Sequence, residues 1–192
     1  MKTKNYIFGY GSLVNLTSLQ KTKGDSDLDS INYHYCHLLQ HVRIWNVGMD
    51  NSQQIKGYKY YVNPTDLKQP DVFVTFLNVQ ESPDHAVKGI LFEVSEEELR
   101  LFDQRERQYS RKDITDLLDI EIDGTAWVYT GLPDSMKRFE EAFQNNRAVI
   151  SQTYQELVHS AYQSLGEDDL TAFKNSTINP GLSAMELKQV KT

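Results

Sequence analysis

Alternating apolar and polar positions dominate the first two-thirds of the chain. Residues 5–15 read NYIFGYGSLVN, where Tyr6, Phe8 and Tyr10 alternate with Ile7 and Gly9 in a strand pattern. That strand runs straight into Gly11-Ser12-Leu13, so two glycines bracket an aromatic where the strand ends. Glycine weakens a strand end, and its use here predicts either a plain turn or a loop whose backbone N–H groups approach a ligand. Further strand-like runs fall at 33–39, 41–47, 58–62, 72–79, 87–94 and 120–130. In VKGILFEV (87–94) the apolar run is nearly continuous, as for a strand buried on both faces. The period changes in the last third. Residues 136–146 carry Phe139, Ala142 and Phe143 at helical spacing, and 148–165 repeat it through Ile150, Tyr154, Leu157 and Ala161. A further short helix is expected over 167–173, and Asn179-Pro180-Gly181 is expected to end ordered structure. The polar segment KTKGDSDLDS (21–30) reads as an exposed loop. These elements predict one α+β domain over 1–181, a small mixed β-barrel with flanking helices, followed by a polar C-terminal tail at 182–192.

One stretch says more than the others: VSEEELRLFDQRERQYSR (94–111). Ser95 with Glu98 fits a capping box, so a helix is expected to begin at Glu96, with three acids in its first turn. Leu99 and Phe102 form its apolar stripe. Extending the same period brings position 106 onto that face, and position 106 is a glutamate. Two placements of Glu106 remain open on the pattern alone. In one, it is a solvated helix-end acid paired with Arg105, Arg107 or Arg111. In the other, it is a carboxylate taken out of water, which makes a stronger base than a solvated one.

Composition narrows the function classes. With 192 residues, the chain is long enough for one domain with a substantial core. Its 39% apolar and 24% charged residues are those of an ordinary soluble protein. A net charge of −7 argues against nucleic acid as the main partner, which needs a basic footprint. MKTKNYIF has no apolar run behind its lysines, so a signal peptide is not expected. No stretch approaches the roughly 20 apolar residues of a membrane span. The single cysteine, Cys36, has no partner for an intrachain disulfide, which points to a reducing cytoplasm.

Taken together, YGSL at 10–13 directly after the first strand, and Glu106, Tyr109 and Arg111 in the mid-chain segment, resemble the γ-glutamylcyclotransferase-like superfamily. Its members include γ-glutamylcyclotransferases, γ-glutamylamine cyclotransferases and ChaC-type enzymes acting on glutathione. Arg43-Ile44-Trp45 followed by a Gly-Met-Asp turn, and SAYQSLGEDDLTAF (160–173), are similar to ChaC-like sequence. ChaC-type enzymes usually carry a glycine pair between the acid and the tyrosine, where this chain has Arg107-Gln108. The resemblance implies a small β-barrel with flanking helices. It also implies a reaction in which a γ-glutamyl amide closes to 5-oxoproline and releases an amine or amino acid. It maps the catalytic glutamate onto Glu106 and the loop that cradles the γ-glutamyl group onto Tyr10, Gly11, Ser12 and Leu13. Arg43 becomes a candidate for the substrate's α-carboxylate and Tyr109 a candidate pocket residue. The partner is then a small γ-glutamyl molecule, and no metal or organic cofactor is required. The alternative is a non-catalytic member of the same fold that binds a small ligand or serves a regulatory partner.

Other constellations carry less. Gly9-Tyr10-Gly11 does not continue as a dinucleotide fingerprint, because Val14 stands where the third glycine belongs. Ser12 lacks the G-x-S-x-G context of a nucleophile elbow. His34, Cys36, His37 and His41 crowd together, but on a strand His34 and Cys36 share a face that His37 does not, and four-ligand spacing is absent. No metal site is expected there. Arg43 could equally stack on Trp45 as a surface residue. Tyr129 is a further pocket candidate, one of eleven tyrosines. The acid clusters at 96–98 and 167–169 read as helix first turns.

Overall fold

The computed structural model describes residues 4–24 and 31–191. Strand β1 (Lys4–Gly9) is followed by a 3₁₀ turn (Ser12–Val14) and helix α1 (Leu16–Lys23). Two long strands, β2 (Tyr33–Asp50) and β4 (Phe73–Val94), pair antiparallel along most of their length, with β3 (Lys59–Val62) between them in sequence. Next come α2 (Glu96–Arg105), β5 (Tyr109–Asp113) and β6 (Gly124–Gly131). The remainder is α3 (Pro133–Gln144), β7 (Ala148–Ser151), α4 (Gln152–Gln163), α5 (Glu167–Ser176) and the short strands β8 (Thr177–Ile178), β9 (Ala184–Met185) and β10 (Lys188–Lys191).

The main sheet has the order β5-β6-β1-β4-β2-β8, with β7 also pairing β4 and β9 pairing β7. It is mixed: β1 runs antiparallel to β4 but parallel to β6, and β7 runs parallel to β4. The expected α+β class holds, with five α-helices among the described residues beside this sheet in the chain. The path has β5 and β8 at its ends, and the pairing does not show it closing into a barrel. Irregularities bend the β2–β4 ribbon. Gln40 takes a left-handed conformation (φ 57) where the register slips between Leu39 and His41, and Asn46 is an extra residue between Trp45 and Val47. The two runs expected at 33–39 and 41–47 are therefore one bulged strand.

Three other expectations change. Residues 148–165 are not one helix: AVIS pairs with Phe73, Val74 and Thr75 as β7 before α4 begins. Helix α2 stops before residues 109–111, where Tyr109 to Asp113 pair with β6 as β5, in keeping with a helix that ends near Glu106. The chain does not lose its order at Asn179-Pro180-Gly181, since β9 and β10 follow and β10 lies antiparallel on β3. Of the expected 21–30 loop, residues 21–23 end α1, which Gly24 closes at φ 75, and residues 25–30 lie outside the described residues.

Two apolar clusters fill the interior. The larger holds Ile7, Phe8, Leu91, Phe92 and Phe102 among others. The smaller holds Val47, Met49, Tyr61, Val74, Phe76, Val149 and Leu187. Tyr109 and Tyr154 are packed against both. The seam between the clusters is where the candidate site lies. Among the described residues, no helix is long and apolar enough to cross a membrane.

Candidate active site

The strand-end glycines are explained by a close fold-back. A Cβ on Gly9 would stand 2.8 Å from Leu13 Cβ, because the 3₁₀ turn folds onto the strand that precedes it. One on Gly11 would stand 3.2 Å from the Tyr154 hydroxyl, so this glycine lets the helix α4 tyrosine approach the loop backbone. Tyr10 is buried between them. Its hydroxyl donates to the Tyr129 carbonyl at 2.7 Å, and its carbonyl accepts from Arg43 Nε and the Tyr162 hydroxyl, both at 3.1 Å. The loop is thus fixed from behind.

Helix α2 delivers the acid. The capping box is present: the Glu98 amide donates to Ser95 Oγ at 3.2 Å, and the Ser95 amide to Glu98 Oε2 at 2.7 Å. Leu99 and Phe102 are buried as the stripe requires. The helix ends at Arg105 with Glu106 as its cap, its amide still donating to the Phe102 carbonyl at 2.9 Å. The chain then reverses in a tight turn closed by the Tyr109 amide on the Glu106 carbonyl at 2.9 Å. Neither Arg107 nor Gln108 has a positive φ, so this turn works without the glycines that ChaC-type sequences carry there. Gln108 Oε1 pins the turn to α3 by accepting from Ser135 Oγ at 2.7 Å and Arg138 Nη2 at 2.6 Å.

The Glu106 side chain is only 17% exposed and pairs with Arg105, Nε to Oε1 3.1 Å. Both placements weighed from the sequence therefore apply in part: the carboxylate is largely withdrawn from water, and it has an arginine partner. Arg105 is in turn tied to the loop and to α1, donating to Ser12 Oγ at 3.1 Å, Ser18 Oγ at 3.2 Å and the Ser18 carbonyl at 3.3 Å, and bonding Thr22.

Glu106 stands at the junction of two adjoining cavities. The first is lined by Tyr10, Gly11, Ser12 and Leu13, with Glu106 and Tyr109 opposite. The second shares Ser12, Glu106 and Tyr109 and adds Lys59 and Phe76. Six of the seven residues expected to form the site, Tyr10 to Leu13, Glu106 and Tyr109, therefore meet in one place. The seventh does not. Arg43 was expected to bind a substrate carboxylate, but it is fully buried and lines neither cavity. Its guanidinium donates to the Tyr10 and Lys88 carbonyls, the Tyr162 hydroxyl and Thr177 Oγ1 at 2.8–3.1 Å, between the rings of Tyr162 and Phe173. A side chain with every nitrogen so engaged has no fork left for a ligand.

Tyr109 donates its hydroxyl to the Leu77 carbonyl at 2.7 Å, and burial pushes its pKa well up. Tyr129 also lines the loop-side cavity, its hydroxyl on Asp103 Oδ1 at 2.7 Å. Tyr154 borders both cavities. Burial and then the Glu106 charge raise its pKa, while the Arg105 charge and then the nearby Ser12 oppose the rise. It also meets Trp45 edge-on, ring centroids 5.9 Å apart, and Phe76 at 5.0 Å. Sequence reasoning placed Tyr154 on the apolar face of α4 but gave it no role. A tyrosine on such a stripe buries a hydroxyl that needs a polar partner, and that was the available signal. Lys59 was missed as well, although the strand that carries it was expected at 58–62. The histidine–cysteine group diverges: Cys36 is buried, His37 Nδ1 pairs with Asp119 Oδ2 at 2.7 Å, and His41 Nδ1 faces the Leu39 carbonyl at 2.9 Å.

A family model described as "Gamma-glutamyl cyclotransferase, AIG2-like" matches residues 7–154. Among curated proteins, no match is found. Solved structures are similar over almost the whole chain. A protein named "Gamma-glutamyl cyclotransferase" aligns at TM-score 0.58 and 12% identity, covering 92% of this chain and 90% of its own. An uncharacterized protein from Homo sapiens aligns at 0.59 and 13%, with 93% and 91% covered. A γ-glutamyl cyclotransferase specific to glutathione from yeast aligns at 0.52 and 12%, with 91% and 96% covered. At these identities the structural likeness establishes the fold.

Proposed function

Because the chain belongs to the γ-glutamyl cyclotransferase, AIG2-like family, we propose that it cyclises a γ-glutamyl amide to 5-oxoproline, with Glu106 as the group that moves the proton. The observation that carries this reading is the position of Glu106: a largely buried carboxylate at the meeting point of two cavities, facing the 10–13 loop.

The substrate folds so that its own α-amine nitrogen attacks its γ-carbonyl carbon. Holding that near-attack geometry supplies much of the acceleration, since the reaction is intramolecular once the chain is bent. Glu106 accepts a proton from the attacking nitrogen. The new C–N bond gives a tetrahedral centre, whose oxygen amides of the Gly11–Leu13 loop can face. The same proton then passes to the departing nitrogen, the old C–N bond breaks, and an amine and 5-oxoproline result. Atoms balance without water, metal or redox partner. Tyr109 and Tyr154 wall the bent substrate.

The Arg105–Glu106 pair favours a second reading, in which the acid is structural and the cavities hold a small ligand without turnover. Measuring 5-oxoproline release from a panel of γ-glutamyl amides separates the two. Wild type should release it and Glu106→Gln should lose at least about a hundredfold, the scale of general acid–base catalysis. Equal rates in the two proteins would remove Glu106 from the chemistry, and no release from any amide would favour the binding reading.

A further inference from the structure

Charge is unevenly distributed between the two cavities. On the loop side, Glu106 is the one charged lining residue among the described residues. The other cavity adds Lys59, Arg105 and Arg107. Two of these three cations are already occupied. Arg105 is bound to Glu106, Ser12, Ser18 and Thr22. The exposed Arg107 lies over the Tyr58 ring at 5.3 Å with Nε toward the Gln104 carbonyl at 3.4 Å.

Lys59 differs. Its Nζ sits 4.0 Å from the centroid of the Phe76 ring. Among the described residues no carboxylate stands within ion-pair distance of it, and its ammonium donates to no hydrogen-bond acceptor. An ammonium held over an aromatic face keeps its charge accessible to a second, anionic partner. Burial lowers its pKa to about 8, and Glu106 pulls it back up, which places the two groups within each other's field. A small anion between Lys59 and the Phe76 side of the cavity would relieve that burial cost directly.

The division fits a bent substrate. With the γ-glutamyl end in the loop-side cavity and the scissile amide at Glu106, the departing amine extends into the cavity that Lys59 lines. We propose that Lys59 selects the leaving group: it receives a carboxylate carried by the departing amine, so that γ-glutamyl amino acids or peptides are preferred over γ-glutamyl derivatives of simple amines. This rests on the cyclotransferase reading above. A charge-assisted contact of this kind is also directional, since the four-residue ladder of β3 with β10 fixes where the ammonium starts, with Lys59 opposite Lys191.

The test compares γ-glutamylglycine with γ-glutamyl-methylamide, which differ only by the carboxylate on the leaving group. The ratio of their kcat/KM values cancels everything the γ-glutamyl half contributes, including general damage to the fold. Wild type should prefer γ-glutamylglycine by about tenfold or more. In Lys59→Gln that ratio should fall to near unity. Lys59→Met, which keeps an alkyl stem over Phe76, serves the same purpose if the glutamine variant does not fold. A wild type that turns over both substrates without preference, or a ratio that survives loss of the ammonium, overturns the inference alone. A wild type that releases 5-oxoproline from neither substrate overturns the cyclotransferase reading and the inference with it.

Discussion

Replacing Arg43 with alanine is expected to lower stability by about 3 kcal/mol while the loop it supports loosens. The magnitude follows from what surrounds it. Arg43 is 1% exposed, so its removal leaves a cavity of the kind that costs about 2–4 kcal/mol in a core. It also removes a cation from between the Tyr162 and Phe173 rings, at 5.0 and 4.6 Å, worth on the order of 1 kcal/mol. The Tyr162 hydroxyl reaches both the Tyr10 carbonyl at 3.1 Å and the Lys88 carbonyl at 2.8 Å, but it has one proton. One of the two carbonyls is therefore orphaned, at about 1 kcal/mol or more. Against these stands a relief: among the described residues no carboxylate pairs with Arg43, and burial already lowers its pKa. Removing an unpaired buried charge returns on the order of 2 kcal/mol. Urea unfolding followed by far-UV circular dichroism should show a midpoint lower by about 1–2 M at unchanged m. A wild-type midpoint combined with a raised KM would refute this reasoning and return Arg43 to the role expected of it from the sequence, as a ligand to the substrate.

The two strand-end glycines should separate. Gly9→Ala forces a Cβ to within 2.8 Å of Leu13 Cβ and should cost about 1–3 kcal/mol in thermal unfolding. Gly11→Ala meets the Tyr154 hydroxyl at 3.2 Å and Leu77 at 3.6 Å, looser contacts, so it should cost less stability but reduce turnover more. Equal stability losses would sink this distinction. Lys59 should leave a pH signature on folding. Its folded pKa of about 8 lies below the 10.5 of an unperturbed lysine, so between these values the unfolded chain holds more protons and stability rises with pH. Lys59→Met should flatten that rise from pH 8 upward relative to wild type, and parallel curves for the two proteins would contradict the placement of the ammonium. Deleting residues 188–192 removes the ladder that runs from Lys188↔Val62 to Lys191↔Lys59. Amide exchange in 59–62 should accelerate while that in 87–94 stays slow, and unchanged exchange in β3 would mean that β10 does not hold it.

What could be read from the sequence was mostly local or periodic. The Ser95–Glu98 box located the start of α2 because its bonds lie within three residues. The spacing of Leu99, Phe102 and Glu106 put the acid on the inner face even though the helix stops one residue earlier, since a C-cap keeps nearly the helical direction. The class of fold was within reach for the same reason, whereas the meeting of 10–13 with 106 and 109 was implied by the resemblance of the two motifs, taken together, to the γ-glutamylcyclotransferase-like superfamily. What failed was set by remote partners. AVIS at 148–151 looks helical in isolation and becomes a strand because Phe73 to Thr75 offer it a ladder. YSRKD at 109–113 has no alternation to announce β5, and only β6 makes it one. Periodicity places Arg43 on a face of β2 but is silent on what lies across it, so a residue that braces the Tyr10 carbonyl was mistaken for one that meets the substrate. Lys59 was hidden for the converse reason: its neighbours Glu106 and Phe76 are far away in sequence, and no local rule brings them together.

The edge-on contact of Trp45 with Tyr154 gives the protein a built-in optical reporter. The chain has two tryptophans, and they occupy opposite kinds of environment. Trp45 is 3% exposed and one ring away from the cavities, whereas Trp127 is partly buried beneath the guanidinium of Arg111, with its indole N–H on Asn5. Indole emission responds to charge and polarity within a few ångströms, so a molecule displacing the Tyr154 ring shifts the signal of Trp45 and leaves that of Trp127 in place. Occupancy of the seam between the two cores can then be titrated on unlabelled protein, whether or not the occupant ever reacts.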